Sequence, residues 1–426
     1  MSSFAPYLIS WNTTKRCNLR CKHCYLDSDA LTKKDTNELS LEEGNRLIDQ
    51  IAEVNPATML ILTGGEPLVR EDIFDLSDYA SKKGMMVVVG TNATTLDDKS
   101  AKEMVRTGVS GIGISIDSIG PEYHDAFRGI EGSWDRAMAG IESCKRHGLE
   151  FQIQTTVTTT NYYEISEIIA LSHKLGARVF NLFFMVCTGR GQDITDISAE
   201  QYEDMLKLLL DIQGKYSGMM ITARCAPHFK RLAYEKDPDS PITKAAGYTG
   251  GGCLAAFHYC RITPEGDVTP CPYIPFSVGN VKEKGFADIW DNSDFFQNMR
   301  RPKLTGRCGY CEFKYLCGGC RARAYATSTD IMAEDPWCAY IPREKDVIVP
   351  PNFYADSSKS NAGSACNLLW TGEAEDRLKR VPFFIRSIVI GSVERYAIEN
   401  GYKEITPKIM EEARRKSAYG NKIDIR

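Results

Sequence analysis

"YLISWNTTKRCNLRCKHCY", residues 7–25, runs from an apolar segment straight into three cysteines, Cys17, Cys21 and Cys24. Its first seven residues read as a strand, and the thiols crowd the loop just beyond the strand's carboxyl end. A zinc knuckle or a closed iron–sulfur cluster takes four ligands. Three within eight residues leave two possibilities, a remote fourth ligand or a coordination position kept open.

Beyond that loop, five more apolar runs follow: "TMLILTGG" (58–65), "MMVVVGTN" (85–92), "SGIGISID" (110–117), "FQIQTTVT" (151–158) and "RVFNLFFM" (178–185). Uniformly apolar runs suit parallel strands covered by helices. Amphipathic segments lie between them, such as "SLEEGNRLIDQIAEV" (40–54), opened by a Ser40–Glu43 capping box, and "SWDRAMAGIESCKRHG" (133–148), closed by Gly148. Six strand–helix units predict an α/β fold, a partial (β/α)6 barrel of the TIM type over residues 1–222. Chemistry in such a fold sits at the carboxyl ends of the strands.

Residues 223–340 lose this rhythm. Gly, Pro and Cys punctuate short strands there, with a hairpin turn at Pro264, Glu265 and Gly266. Residues 341–368 have the composition of a linker, and 369–426 predict a small helical domain. In that domain Ile385, Ile388, Val389, Val393 and Tyr396 recur at helical spacing, Gly401 stops the helix and Thr406–Pro407 starts another. A net charge of −4 gives no reason to expect nucleic acid or an anionic membrane as partner. No apolar stretch reaches the roughly 20 residues of a membrane span. The segment "MSSFAPYLISWNTTKRC" lacks the pattern of a signal peptide, so the expected location is the cytoplasm. Fifteen cysteines, an odd and clustered set, then mean metal sites rather than a disulfide framework.

The triplet's spacing, with Tyr25 directly after it, resembles the signature of the radical S-adenosylmethionine (SAM) enzymes. That resemblance implies a [4Fe–4S] cluster on Cys17, Cys21 and Cys24, with SAM on the open iron and a 5′-deoxyadenosyl radical as product of its cleavage. It further implies SAM contacts at the polar strand ends: Gly64, Gly65 and Glu66 of "TGGEP", Asn92, Ser115, Asp117, Thr156 and Arg128, with adenine near residues 183–191. The residues alone leave other readings open, a zinc site completed by His23 or a remote cysteine, and strand-end hydroxyls that merely satisfy the backbone.

Residues 253–338 resemble the SPASM extension of these enzymes. By that analogy one auxiliary [4Fe–4S] cluster takes Cys253, Cys260, Cys271 and Cys320, and the other Cys308, Cys311, Cys317 and Cys338. Two residues separate Cys317 from Cys320, where many members have three, and a pair of zinc sites is the alternative. Cys144 and Cys366 read as structural, and Cys187 lies near a strand end. Cys225 and His228 of "RCAPHF" are catalytic candidates that could touch substrate or ligate iron, although a structural role is the first reading of each.

Within the family, "RCAPHF", "CGGCRARAYA" and the triplet segment look most like the alternative heme and heme d1 biosynthesis branch, above all the enzymes that deacetylate didecarboxysiroheme. The C-terminal segment is similar to the small domain of light-independent protochlorophyllide reductase. The resemblance implies removal of acetate side chains from an iron tetrapyrrole to give iron-coproporphyrin III. An electron donor such as ferredoxin or flavodoxin goes with that chemistry, and Arg321, Arg323, Arg190 and Lys230 are candidate partners for substrate carboxylates. Competing readings are a decarboxylating heme synthase, a heme d1 enzyme, a peptide-modifying maturase and a non-catalytic iron–sulfur electron carrier.

Overall fold

Each apolar run forms a strand: β1 (Leu8–Thr14), β2 (Met59–Gly64), β3 (Met86–Thr91), β4 (Val109–Ser115), β5 (Phe151–Val157) and β6 (Val179–Phe184). All are parallel and paired in chain order. The computed structural model describes residues 4–29, 37–194, 197–238, 243, 252–343, 346–349, 368–381, 389–390, 393–394, 396–398 and 400–416. Helices α1 (Leu41–Val54), α2 (Ile73–Lys82), α3 (Asp98–Arg106), α4 (Pro121–Arg128), α5 (Ser133–Arg146) and α6 (Ile165–Leu175) alternate with the strands. The capping box of α1 is reciprocal: Glu43 N donates to Ser40 Oγ at 3.2 Å and Ser40 N to Glu43 Oε2 at 2.8 Å.

The expectation of six strands is exceeded at both edges. After α7 (Ala199–Asp211), β7 (Met220–Arg224) adds to β6, and α8 (His228–Lys236) follows. The expected boundary between residues 222 and 223 falls inside β7. On the other edge β8 (Tyr259–Ile262) pairs in parallel with β1, and β9 (Asp267–Thr269) and β10 (Gly279–Asn280) continue antiparallel. The cysteine-rich segment thus extends the barrel's own sheet to ten strands. Its β8–β9 hairpin turns where the sequence indicates, with Gly266 at φ +96°.

The two faces of this sheet differ. On the helix side Ile9, Trp11, Leu60, Leu62, Val87, Ile112 and Ile153 are fully buried. On the other side β5 presents Gln152, Gln154 and Thr156, half-buried, alternating with buried Phe151, Ile153, Thr155 and Val157. Gln152 accepts from Asn181 Nδ2 of β6 at 2.6 Å. Strand alternation therefore leaves a polar lumen where uniformly apolar runs predict two buried faces.

The C-terminal unit has its own core of Ala374, Val393, Ala397, Ile405, Ile409 and Met410. Helices Gly372–Arg380 and Pro407–Lys416 flank a parallel pair, β11 (Leu369–Trp370) and β12 (Glu404–Ile405), which the helical expectation lacked. Ile385, Ile388, Cys366 and most of the expected linker lie outside the described residues. Among the described residues no helix is long and apolar enough to cross a membrane.

Candidate active site

The triplet loop leaves β1 and is held from three sides. Arg20 N and Lys22 N donate to the carbonyls of Arg128 and Phe127 at 3.2 and 2.9 Å, docking the loop on the end of α4. Arg190 N donates to Cys24 O at 3.0 Å, while its guanidinium donates to Cys21 O at 3.0 Å and Ser28 O at 2.6 Å and pairs with Asp27 at 2.8 Å. Arg190 is therefore a clamp on the loop, not the free partner for a substrate carboxylate that its sequence position suggests.

Gly64 and Gly65 form the third support. Gly65 N and Glu66 N donate to the carbonyls of Thr14 and Arg16, both at 2.8 Å. A Cβ on Gly64, at φ +142°, would stand 2.4 Å from Thr14 O, and one on Gly65 2.1 Å from Arg16 O. The glycine pair is thus required for contact with the backbone that carries Cys17. Glu66 is fully buried and accepts from Thr91 Oγ1 (2.7 Å), Asn92 N (2.8 Å) and Leu68 N (3.1 Å). Burial outweighs these donors and pushes its carboxyl up to about 7. Asn92 Nδ2 donates to Asn18 Oδ1 at 2.9 Å and lies 4.0 Å from Cys17 Sγ.

At the ends of β4 and β5 a second charged link reaches the loop. Asp117 Oδ2 accepts from Arg128 Nε (2.7 Å) and pairs with its Nη2 (2.6 Å), and Oδ1 accepts from Thr156 N (2.9 Å). Arg128 Nη1 lies 3.9 Å from Cys21 Sγ. Burial disfavours the Asp117 anion, but Arg128 and the nearby histidines hold its carboxyl below the usual range. Ser115 ends β4 opposite Gln154. Burial, with the neighbouring Glu66 and thiols adding to it, pushes the Cys17 thiol up to about 12. His23 stacks on Phe127 (4.3 Å between centroids, 5° between planes), and burial drops it to about 3. The ring lies flat against Phe127, and its buried Nδ1 has no hydrogen-bond partner among the described residues.

Tyr25 accepts from Asn12 Nδ2 at 2.9 Å, and its ring lies 5.5 Å from that of Tyr273. Arg261 of β8, which sequence reasoning passed over, donates to Asn12 Oδ1 and sets its guanidinium 5.7 Å from the Tyr25 ring. Only the pairing of β8 with β1 brings it into the lumen.

The second set of thiols divides in two. Cys308, Cys311, Cys317 and Cys338 line one cavity, with His228, Arg231 and Lys314 around them. Cys253, Cys271 and Cys320 gather elsewhere, together with Cys225 at the carboxyl end of β7. Burial, then the charges of Cys253, Cys320 and Cys225, push the Cys271 thiol well up. Cys260 is not among them, contrary to the expected ligand set. It pairs with Ile9 in the β1–β8 register and is fully buried, and beyond burial its thiol is shifted only by Arg300. Among the described residues no three His, Cys, Asp or Glu side chains converge on one metal ion.

Three family models match the chain: the Radical SAM superfamily over residues 11–185, the Iron-sulfur cluster-binding domain (SPASM) over 253–312, and the Proto-chlorophyllide reductase 57 kD subunit over 370–414. The "AdoMet-dependent heme synthase" of Methanosarcina barkeri is 39% identical over 347 residues, 80% of this chain and 98% of that protein. The chain belongs to the radical SAM superfamily. It carries a radical SAM domain followed by a SPASM domain. Another M. barkeri relative, "Fe-coproporphyrin III synthase", is 30% identical over 79% of this chain and 88% of its own length. In fold, Streptococcus suis SuiB bound to SAM matches with a TM-score of 0.64 at 17% identity, covering 79% of this chain and 78% of that one.

A radical SAM enzyme needs an iron–sulfur cluster with one open corner, and the triplet loop fits it. Three thiols lie together there, and Cys24 and Cys21 each raise the pKa of Cys17. The remaining candidates are distributed differently from expectation. Arg323 is buried in a forked pair with Asp335 (2.8 and 2.9 Å). Arg321 donates to the carbonyls of Ile331 (2.9 Å) and Ala333 (2.7 Å). Both guanidiniums brace the SPASM fold and are not available to substrate. Lys230 is half-buried, and desolvation lowers it to about 8. His228 shares a 2.9 Å hydrogen bond with Tyr202 and lines the four-thiol cavity rather than the barrel lumen. Burial lowers it to about 4. Cys144 is fully buried on α5, as a core residue should be, and Cys187 is half-buried beyond β6.

Proposed function

We propose that this chain is a SAM-dependent heme synthase that converts propionate side chains of an iron coproporphyrin to vinyl groups by oxidative decarboxylation. The observation that carries the reading is 39% identity across 98% of a heme synthase, against 30% for the synthase of iron-coproporphyrin III. Deacetylation of didecarboxysiroheme, favoured by the motifs alone, becomes the second reading.

On this reading Cys17, Cys21 and Cys24 hold the open cluster. Glu66, Asn92, Ser115, Asp117 and Thr156 surround the SAM site, with Gly64, Gly65, Arg128 and Arg190 fixing the loop. What SAM and its cluster supply when bound is abstraction of one hydrogen atom. Each converted side chain then gives up that hydrogen atom, one carbon dioxide and one electron; SAM cleavage takes one electron in, so the protein needs a one-electron donor such as a ferredoxin or flavodoxin and an acceptor for the electron released. Arg261 supports a carboxylate-bearing substrate. Its described partners, Asn12 and the Tyr25 ring, are neutral, and a guanidinium binds a carboxylate with two parallel hydrogen bonds.

The test is anaerobic incubation with SAM and dithionite, supplying iron-coproporphyrin III and didecarboxysiroheme separately, read by mass spectrometry. Vinyl products from the first substrate are expected, with 5′-deoxyadenosine released in step. Conversion of the second substrate alone would restore deacetylation, and no 5′-deoxyadenosine with either would leave an electron carrier.

A further inference from the structure

We propose that Cys225 is the fourth thiolate of an auxiliary cluster with Cys253, Cys271 and Cys320, and that Cys260, for all its place in the motif, binds no iron. Cys225 lies outside the segment 253–312 that the SPASM model matches, one residue beyond β7, the last parallel strand on that edge of the barrel.

The case against Cys260 is one of parity. In β8 the side chains of Tyr259 and Arg261 reach Ser10 (2.6 Å) and Asn12 on the lumen face of β1. Successive strand residues point to opposite faces. Cys260 therefore shares the helix-side face with Ile262, in register with Ile9 and Trp11. Trp11 abuts Gly44 of α1 on that side, and Arg300, the charged neighbour of Cys260, lies over the rings of Trp290 and Phe296. A ten-stranded sheet thus stands between this thiol and the lumen face, where Tyr25 meets Tyr273, two residues from Cys271.

The case for Cys225 is a continuous set of contacts. The residue takes φ +56°, a left-handed turn that β7 needs in order to leave the sheet, and uncommon outside glycine. Its carbonyl accepts from Arg323 Nη2 at 3.1 Å, Arg323 grips Asp335, and Asp335 Oδ2 accepts from Cys320 N at 2.7 Å. Cys225 and Cys320 are thereby fixed through one buried ion pair. Gly252 lies so close to the Cys317 carbonyl that a Cβ there would overlap it, which seats Cys253 beside the same Cys317–Cys320 turn. Each thiol of the set with a resolved shift is raised by others of the set, Cys225 by Cys320 and Cys253 after burial itself. With Cys308, Cys311, Cys317 and Cys338 on their own cavity, eight thiols again make two closed four-thiolate sets.

Iron content tests this without reference to the substrate, so its outcome is separable from the heme synthase reading. In a chain carrying Cys17→Ala, Cys21→Ala and Cys24→Ala, only auxiliary iron remains. Adding Cys225→Ala is expected to remove about half of that iron and sulfide and one of two reduced-state EPR signals. Adding Cys260→Ala is expected to remove none. Cys225→Ser, whose oxygen can stay on the iron, is expected to keep the iron and shift one EPR signal, and it decides the matter should Cys225→Ala not fold. Full iron and unchanged EPR in both Cys225 variants, or loss of a cluster from a folded Cys260→Ala chain, would overturn the proposal.

Discussion

Glu66 shows how much a single side chain does here. It follows β2 by two residues, yet its hydrogen-bond donors Thr91 and Asn92 lie at the end of β3 and just past it, so one carboxyl ties two strand ends beside the triplet loop. The motif "TGGEP" marked it as a site residue, but its partners were hidden because they lie 25 and 26 residues along the chain. Burial raises its pKa from 4.5 to about 7. Between those values the folded protein keeps a proton that the unfolded chain has released, so stability falls as pH rises through that window and stays lower above it. At about 1.4 kcal/mol per unit the loss approaches ~3 kcal/mol. The SAM-free enzyme is thus expected to lose unfolding midpoint between about pH 4.5 and pH 7, and Glu66→Gln to flatten that decline. Parallel profiles for the two proteins would show that Glu66 does not titrate there.

At the scale of elements, the strands were legible because each is a run of Leu, Ile, Val or Phe bounded by Gly or polar residues. β7 was not, since "MITAR" is five residues with only one, Ile221, from that set and becomes a strand only against β6. Nor does any local pattern say that β8 joins β1, so the parity that removes Cys260 from the ligand set could not be applied before the pairing was known. The Gly64–Gly65 turn is the opposite case, where two residue types alone announce a close backbone approach. A methyl group on Gly65 would meet the Arg16 carbonyl at 2.1 Å, with backbone on both sides unable to yield. Gly65→Ala is expected to destabilise by about 1–3 kcal/mol and displace the loop bearing Cys17. The readout is iron per chain, with about a third lost along with SAM cleavage, while Gly120→Ala, open around its Cβ, keeps both. Full iron in Gly65→Ala would mean that the loop does not depend on this contact.

Among the buried clusters of the described residues, two bear on how the molecule divides into units. The larger runs through the barrel sheet and on into the SPASM segment, from Ile9 and Trp11 to Phe286, Trp290 and Cys320. The smaller, from Ala374 to Ala413, closes on itself around the pair β11–β12. The family match at 370–414 is separate from the other two, and 80% of this chain already covers 98% of the M. barkeri heme synthase. A unit with its own buried face, absent from a relative of that kind, contributes little to the stability of the rest. A chain ending at Val349 is therefore expected to keep its iron, its thermal midpoint within about 2 °C, and its 5′-deoxyadenosine release with an iron tetrapyrrole. Loss of iron in the shortened chain would join the two cores into one folding unit. Loss of tetrapyrrole conversion with iron intact would instead make the C-terminal unit part of the substrate site, where its likeness to a protochlorophyllide reductase subunit would acquire a functional meaning.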